Sequence, residues 1–165
     1  MSVMKMKLFL QRDTSGLNAR YRVFDDRGEL RFLITGRRNP SGESLRIRTP
    51  DGGAVCRIRS LGFSALCVYS ISAGSESIRL NIAVGSGRAA VRFRGISFFV
   101  RGDVLMGSYS ILDADTAVVC EVGKDFSKGG TQLIVHQTER ELFCLAAAAC
   151  IDSLNVAGVP VLQMT

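Results

Sequence analysis

The sequence predicts a mainly β protein, a closed antiparallel barrel of about twelve strands around one central, C-terminal, hydrophobic α-helix. Most of the chain alternates apolar and polar residues with a period of two, in short runs separated by Gly, Ser, Asn and Asp. This pattern is typical of half-buried strands. One stretch near the end, "LFCLAAAACI" from Leu142 to Ile151, is apolar on every side and must therefore be buried on every side.

The first half of the chain shows the clearest strand and turn patterns. In "RYRVFDDRGEL", Tyr21 and Val23 fall on one face of a strand that leads into an Asp- and Gly-containing turn. "SLRIRTPDGGAVCRIRS" reads as a strand, a Pro-Asp-Gly-Gly turn and a second strand. Val55 and Ile58 are expected on the core side of that second strand, and the slip in parity between them indicates a β-bulge.

The later strands follow the same pattern, as short runs rich in β-branched and aromatic residues. They are "SALCVYSIS", "SIRLNIAV", "RAAVRFRG", "ISFFVRG", "VLMGSYSILD", "TAVVCEVGKDF" and "TQLIVHQ". "VPVLQM", residues 159–164, is predicted to be a last short strand. The chain has 165 residues and no linker-like segment, so we expect one domain over residues 1–165.

The helix is predicted over residues 139–154. Thr138 and Glu141 have the spacing of a capping box, and Gly158 and Pro160 prevent the helix from continuing. An apolar helix of about ten residues is roughly 15 Å long, about half of what a bilayer core requires. A closed sheet around this helix loses its open edges, and the helix fills an interior that strand side chains alone cannot fill.

Composition indicates a globular domain with a substantial core, because 47% of the residues are apolar and 22% are charged. No apolar run near the N-terminus is long enough for a signal peptide, which favours a cytoplasmic protein. Five cysteines lie among apolar neighbours, and we expect all of them to be reduced core residues. They are Cys56, Cys67, Cys120, Cys144 and Cys150. Without a CxxC pair and with one histidine, no metal or cofactor is expected.

Catalytic residues are hard to assemble from this sequence. His136 in "LIVHQT" could act as a general base, and Cys120 could pair with it, but no set of nucleophile, base and orienting residue surrounds it. Lys124 and Lys128 in "GKDFSKGG" form a candidate anion site, for which a solvated hairpin tip is the simpler interpretation. We therefore expect no enzymatic activity. A small enzyme with a site at the barrel mouth stays an alternative, since it requires a concave pocket that sequence cannot show.

Two pairs of aspartates could in principle serve as acid–base dyads. Asp25 with Asp26, and Asp113 with Asp115, both stand where turns are expected. Aspartate side chains hydrogen-bond their own backbone in turns, so the turn interpretation is favoured for both pairs.

The strongest feature outside the predicted core is a pattern of arginines. Arginines at alternate positions put both side chains on the same side of a strand. The pairs are Arg46 with Arg48, Arg57 with Arg59, and Arg92 with Arg94. If the first two pairs are hairpin neighbours, their guanidinium groups cluster on the outer wall and suit bidentate contacts with phosphate. The net charge of +6 is compatible with such a partner, although an ordinary solvated face is the alternative.

Several segments resemble the LURP-one-related family. "YRVFDDRGELRFLITG" resembles the family's opening hairpin, and "LRIRTPDGGAVCRIRS" is similar to its second hairpin. The stretch from "FRGISFFVRG" to "TQLIVHQ", followed by the helix ending "CIDSLN", is similar to its later half. The resemblance covers nearly the whole chain and implies the fold of the tubby C-terminal domain and phospholipid scramblases, a twelve-stranded barrel threaded by a helix. The family has no agreed catalytic residues, so none is transferred.

From these features we expect a non-enzymatic cytosolic binding domain, free in the cytoplasm or peripheral at a membrane. Its expected ligands are acidic phospholipid or phosphoinositide headgroups, and its expected binding residues are Arg46, Arg48, Arg57 and Arg59. Tubby domains bind phosphoinositides through basic residues, but no matching local motif occurs here. Nucleic acid is not expected as a partner. The alternative is a membrane-associated, scramblase-like protein that uses the region from Leu142 to Met164, although polar residues and a proline interrupt that region.

Overall fold

A computed structural model of the chain describes residues 5–13, 19–37, 44–61, 66–125, 127 and 129–156. These residues form twelve strands, a 3-10 turn at Thr138–Arg140 and one α-helix, α1, at Glu141–Val156. The strands are β1 (Met6–Arg12), β2 (Ala19–Phe24), β3 (Leu30–Arg37), β4 (Ser44–Arg48), β5 (Ala54–Ser60), β6 (Leu66–Ala73), β7 (Glu76–Gly85), β8 (Arg88–Arg94), β9 (Phe99–Asp103), β10 (Ser108–Leu112), β11 (Val118–Asp125) and β12 (Gly130–Val135).

All twelve strands belong to one antiparallel sheet, in which strands that follow one another along the chain are neighbours, apart from β8 and β9. β1 also pairs with β12, so the strand order runs from β8 back to β1 and then from β12 to β9. The predicted barrel with its C-terminal helix is confirmed, with one correction. The barrel is nearly closed, because within the described residues no ladder joins β8 to β9 and a seam separates them.

The barrel has two mouths, which α1 connects. Because the ladders are antiparallel, odd-numbered strands end and even-numbered strands begin at the same mouth. α1 ends at this helix-end mouth, where Asp152 binds Arg12 at the end of β1. α1 begins at the opposite, helix-start mouth, where Glu141 binds Arg31 near the start of β3.

The core surrounds α1 on every side. Every residue from Phe143 to Asp152 is buried, and Ala146, Ala147 and Ala149 have no exposed surface. The small alanine side chains let the inward isoleucine, leucine and valine residues of the strands approach the helix closely. The prediction that the apolar helix lies inside the sheet is therefore confirmed.

The predicted capping box at the start of the helix is wrong. Gln137 precedes the 3-10 turn, and no side-chain hydrogen bond caps that turn. The carboxylate of Glu141 binds the guanidinium of Arg31 instead of returning to the backbone near Thr138. A charge-assisted pair between two elements thus replaces the local hydrogen bond that the spacing indicated.

The predicted bulge is present in β5. The register passes from Ile47 opposite Cys56 to Arg48 opposite Ala54, which leaves Val55 as the extra residue. Since the extra residue shifts the parity, Cys56 is the buried residue and Val55 is only partly buried at the edge of the core. The strand predicted over residues 159–164 lies outside the described residues.

Substitution of Ala147 by arginine should prevent folding. Ala147 is fully buried in the middle of α1, so the variant would bury an unpaired charge at a cost of several kcal/mol, a large share of a typical domain's stability. Circular dichroism and thermal unfolding measure the result, with Ala117→Arg in an exposed turn as the matched control. A soluble Ala147→Arg protein with a wild-type melting curve would show that the helix is not enclosed.

The ion pair at the start of α1 leads to a second prediction. Glu141 has a side chain that is 8% exposed, and Arg31 donates to its two oxygens at 3.0 and 2.9 Å. Arg31→Met leaves this buried carboxylate unpaired and should lower the free energy of unfolding by about 3 kcal/mol. Arg31→Met with Glu141→Met removes both charges and should recover most of that loss. Denaturant titration compares the three proteins, and an Arg31→Met variant as stable as wild type contradicts the assignment.

Candidate functional site

The four arginines predicted to bind a ligand all lie on the outer face of the β4–β5 hairpin. Their inward neighbours in the two strands are buried. Arg46 stands directly opposite Arg57 in the ladder, and Arg59 lies two residues further along β5. The hairpin thus brings these three arginines together, as the alternation indicated.

Arg48 has a local role in the same hairpin. Its Nε donates to Thr35 Oγ1 on β3 at 3.2 Å, and its Nη1 donates to the Gly52 carbonyl in the turn at 2.8 Å. These contacts hold its guanidinium over the turn that joins β4 to β5. Arg48 therefore contributes positive charge to this wall but has fewer donors left for a ligand than its neighbours.

The arginines continue on β7 and β8, with a serine of β6 between them and β5. Following the ladders from β5 to β8, Arg59 lies opposite Ser70, Ser70 opposite Arg79, and Arg79 opposite Arg94. Arg92 is exposed on the same side of β8. We call this set of outward arginines the basic face. Its members are Arg46, Arg57, Arg59, Arg79, Arg92 and Arg94.

Only part of the basic face can be predicted from the sequence. Alternation puts Arg92 and Arg94 on one side of their strand, but it does not show that this strand lies near the β4–β5 hairpin. Arg79 was missed, and its only signal was a single arginine at an outward position in "SIRLNIAV". Its place beside Arg94 follows from the β7–β8 register, which the sequence does not show.

The basic face lacks neutralising acids among the described residues. None of its arginines forms an ion pair with a described carboxylate. The strands β4 to β8 contain one acidic residue, Glu76 at the start of β7, and Glu76 binds Arg140 at 2.8 Å. Like charges directly opposite in a sheet are destabilising, so an anion bound between Arg46 and Arg57 would relieve a cost that the free protein carries.

Exposed apolar side chains flank the basic face at the helix-end mouth. Leu61, just after the end of β5, is 47% exposed and Leu66 at the start of β6 is 49% exposed. Met106, in the turn between β9 and β10 at the same mouth, is 69% exposed. Leu61 lies two residues beyond Arg59, so apolar and cationic groups are adjacent on this rim.

A polar cluster around Asp152 fixes the end of α1 at the same mouth. Its Oδ2 lies 3.2 Å from Nε of Arg12, and its Oδ1 lies 3.9 Å from Nζ of Lys124. Tyr21 Oη and Ser153 Oγ are 3.1 Å apart beside it. Burial, followed by the charge of Asp152, raises the pKa of Tyr21, so its phenol stays neutral. The cluster holds the helix terminus rather than presenting a reactive group.

The cavity beside Asp152 has a volume of about 10 Å³. That is roughly the space one water molecule needs, and it leaves no room for an organic substrate. Tyr109, Lys124 and Thr131 contribute to its lining from three neighbouring strands. Burial raises the pKa of Tyr109, so this phenol also stays neutral.

The residues weighed for catalysis do not come together. His136 Nε2 lies 2.7 Å from Glu121 Oε2. Cys120 is fully buried, and its thiol donates a hydrogen bond to the Glu121 carbonyl at 3.8 Å. The structure therefore gives the Cys120 thiol a backbone partner, whereas His136 has a partner on the strand surface.

The aspartate pairs act as turn residues, as predicted. Asp25 Oδ1 accepts two backbone N–H groups at 2.9 Å, and Asp113 Oδ1 accepts two at 2.9 and 3.0 Å. The hydrogen bond from Gln137 lowers the pKa of Asp113. Of the two lysines considered as an anion site, Lys124 approaches Asp152, and Lys128 lies outside the described residues.

All five cysteines are free thiols. Four of them are buried, but Cys67 is only half-buried, which corrects the expectation that all lie in the core. Cys67 is the second residue of β6 and lies close to the rim of the helix-end mouth. Burial raises the pKa of Cys56 to about 12 and also raises the pKa of Cys67. The pKa of Cys144 is raised by its hydrogen bond with Cys120 and by burial.

Both the sequence and the fold of this chain are similar to those of known proteins. A family model described as LURP-one-related matches residues 6–152. The chain belongs to the LURP-one-related family. The X-ray structure of an Arabidopsis thaliana protein is similar to it, with a TM-score of 0.66, 14% sequence identity and 93% of each chain covered. At this identity the likeness shows the fold alone. No curated protein matches the sequence.

The family assignment confirms the resemblance that the sequence indicated. The alternative of a membrane anchor relied on the region from Leu142 to Met164. Within the described part of the chain, no helix has the length and apolar character needed to span a bilayer. α1 instead lies inside the sheet, and residues 157–164 lie outside the described residues.

The burial of the thiols predicts how this LURP-one-related protein reacts with a thiol reagent near pH 8. Only the thiolate reacts, and the pKa values of Cys56, Cys67 and Cys144 are raised. Cys120 and Cys150 have no exposed surface, so native labelling should be slow. Cys67 should react first because it is the least buried, and the other four should react only in denaturant. Cys67→Ser should remove the native phase and serves as the control. Native labelling of two or more thiols in that variant would contradict the core assignment.

Proposed function

We propose that this LURP-one-related protein is a non-enzymatic domain that binds acidic phospholipid surfaces through its basic face. The observation that carries the proposal is a set of outward arginines on adjacent strands, without an ion pair to any described carboxylate. These arginines come from four of the five adjacent strands β4 to β8. A surface of this kind attracts an extended anion rather than a single charged group.

The extent of the basic face supports a lipid surface over a single small ligand. Neighbouring strands lie about 4.8 Å apart, so β4 and β8 are separated by roughly 19 Å along the wall. The outside of a barrel is convex, whereas sites for small ligands are concave. A wall of this width can contact several headgroups at once, and each arginine close to an anionic membrane contributes about 1 kcal/mol.

The chemistry of the cations fits phosphate. All the cations in β4 to β8 are arginines, and none is lysine. The planar guanidinium offers two parallel donors to phosphate oxygens and is less strongly hydrated than an ammonium group. Arg46 and Arg57, directly opposite each other, could hold one phosphate between them.

The exposed leucines favour a membrane over a soluble polyanion. Leu61 and Leu66 stand at the rim next to Arg59. Apolar side chains beside a cationic surface are typical of proteins that bind the membrane interface, where the apolar groups enter the headgroup boundary. The proposed orientation therefore turns the β5–β6 end of the basic face toward the lipid.

Charge reversal on the basic face tests the proposal. Arg46→Glu with Arg57→Glu removes two favourable charges worth about 2 kcal/mol, so binding to phosphatidylserine-containing vesicles should fall by about 30-fold or more. Wild-type binding should weaken steeply as salt rises, since exposed charges are screened over about 10 Å at ~0.1 M. Co-sedimentation with phosphatidylcholine vesicles, with and without phosphatidylserine or phosphoinositide, measures both effects and separates lipid classes.

Lys5→Glu with Lys7→Glu is the matched control. It makes the same change in net charge at exposed positions near β1, on the far side of β2 and β3. Its vesicle binding should stay close to wild type, and the circular dichroism spectra of both double variants should be unchanged. If wild type ignores acidic vesicles at low salt, or if both variants lose binding equally, the basic face is not a lipid site. Tighter binding to a single-stranded RNA probe than to vesicles would identify nucleic acid as the partner instead.

A further inference from the structure

The seam between β8 and β9 leaves two strand edges without a hydrogen-bonded ladder in the described part of the chain. β8 pairs with β7 alone, and β9 pairs with β10 alone. The β7–β8 ladder runs without a bulge from Arg79 opposite Arg94 to Gly85 opposite Arg88. A regular strand with an open edge is a template onto which another extended chain can pair.

The turn before β8 determines which backbone groups face the seam. Ser86 and Gly87 form a two-residue turn with φ values of 52° and 73°. Positive φ at both positions matches a type I′ hairpin, in which the flanking residues Gly85 and Arg88 exchange backbone hydrogen bonds. Hydrogen bonds to β7 then recur at every second residue of β8, counted from Arg88.

The intervening residues of β8 therefore point their N–H and C=O groups into the seam. These residues are Ala89, Val91 and Phe93. Their side chains face the inside of the barrel, since Ala90 and Arg92 between them are exposed. The same residues thus provide the open hydrogen-bonding edge and the apolar side chains beside it.

The seam is shut at one mouth and open toward the other. Near the helix-start mouth, Phe93 and Phe98 pack edge to face with their ring centres 5.5 Å apart, and both are buried. Toward the helix-end mouth, Ala89 and Val91 are only half-buried, although they point inward. On neighbouring β7, the inward residues from Ile78 to Val84 are all buried. Half-buried apolar side chains therefore lie along the free edge of β8.

We propose that this seam is a docking site for an extended acidic segment of a partner protein, which adds a strand to the edge of β8. The outward side chains of β8 along this edge include Arg88, Arg92 and Arg94. On β9, Arg101 and Asp103 are both outward, and Asp103 accepts a hydrogen bond from the backbone of its own turn, so arginines predominate along the seam. A strand added here places alternate residues next to these arginines and the others toward Ala89 and Val91. A segment that fits this site therefore alternates acidic residues with small apolar residues.

A second copy of this chain is a poorer occupant. Antiparallel pairing of two β8 strands about Val91 would put Arg88 opposite Arg94 at both ends. Like charges directly opposite are destabilising, so the arginines protect this edge from self-pairing while leaving it open to an acidic strand. Lipid headgroups do not form a backbone ladder, so the seam site goes beyond the lipid-binding function and does not depend on it.

A synthetic probe tests the seam directly. The probe is a fluorescein-labelled peptide of alternating glutamate and valine, and its binding to the full chain is followed by fluorescence anisotropy. In amide exchange measured by NMR, the free protein should exchange at Ala89 and Val91 faster than at Ala90 and Arg92. The probe should slow exchange at Ala89 and Val91. A lysine–valine peptide should bind at least tenfold more weakly, and a probe N-methylated at alternate residues should not bind.

Protein variants separate backbone pairing from charge alone. Val91→Pro removes an N–H that faces the seam and keeps the bonds to β7, so probe binding should fall about fivefold or more. Val91→Ala keeps the N–H and is the matched control. Vesicle binding by Val91→Pro should be unchanged, which keeps this test distinct from that of the basic face. If Val91→Pro does not fold, the N-methylated probe decides on wild-type protein. Equal binding of the methylated probe, or unprotected amides at saturating probe, overturns the proposal.

Discussion

The burial of a helix that is apolar on every side is the constraint on which the rest of this structure depends. The 16 residues of α1 extend about 24 Å, so a sheet that covers the helix must enclose it along its length. The twelve-stranded sheet provides that enclosure because all its strands except β9 bury inward-facing apolar residues. The alanines from Ala146 to Ala149 set how closely the strands approach, since a longer side chain there would overpack the interior.

Buried carboxylates at its two ends determine where the helix sits along the barrel axis. Glu141 binds Arg31 at one mouth, and Asp152 binds Arg12 at the other. Apolar packing alone does not determine the position of the helix along the barrel axis, because consecutive alanines present the same small side chain to the strands. A shift of one turn, about 5.4 Å, would break both pairs and leave two buried charges uncompensated. The ion pairs thus specify position, whereas the apolar contacts provide most of the stability.

Alternation and turn motifs in the sequence correctly predicted those features that depend on residues close together in the chain. Alternation placed Arg46 and Arg57 on the outer wall, and the hairpin turn brought the two directly opposite each other. The relation of Arg59 to Arg79 depends on two successive ladders through Ser70, and strand spacing in sequence carries no signal for it.

The wrongly predicted capping box and the seam that was not predicted have the same physical cause: both depend on contacts between residues that are far apart in the sequence. The capping box failed because Arg31, far away in sequence, offers Glu141 a stronger partner than the nearby backbone does. The seam was not predicted because β8 alternates like the paired strands, and alternation does not show whether a strand has neighbours on both sides.

Over most of the barrel, residues of the strands alternate between inward and outward positions. The residues that stabilise the core are therefore different from those that determine the chemistry of the surface. Outward residues such as Arg57 and Arg79 contribute little to the core, so this wall can carry like charges without loss of the fold. The separation ends at β8, where Ala89 and Val91 line the interior while their backbone groups face the seam. A strand added there would cover the half-buried side chains, so binding and core packing become the same event. A ligand on the basic face leaves the core as it is, because it contacts only side chains that already point to solvent.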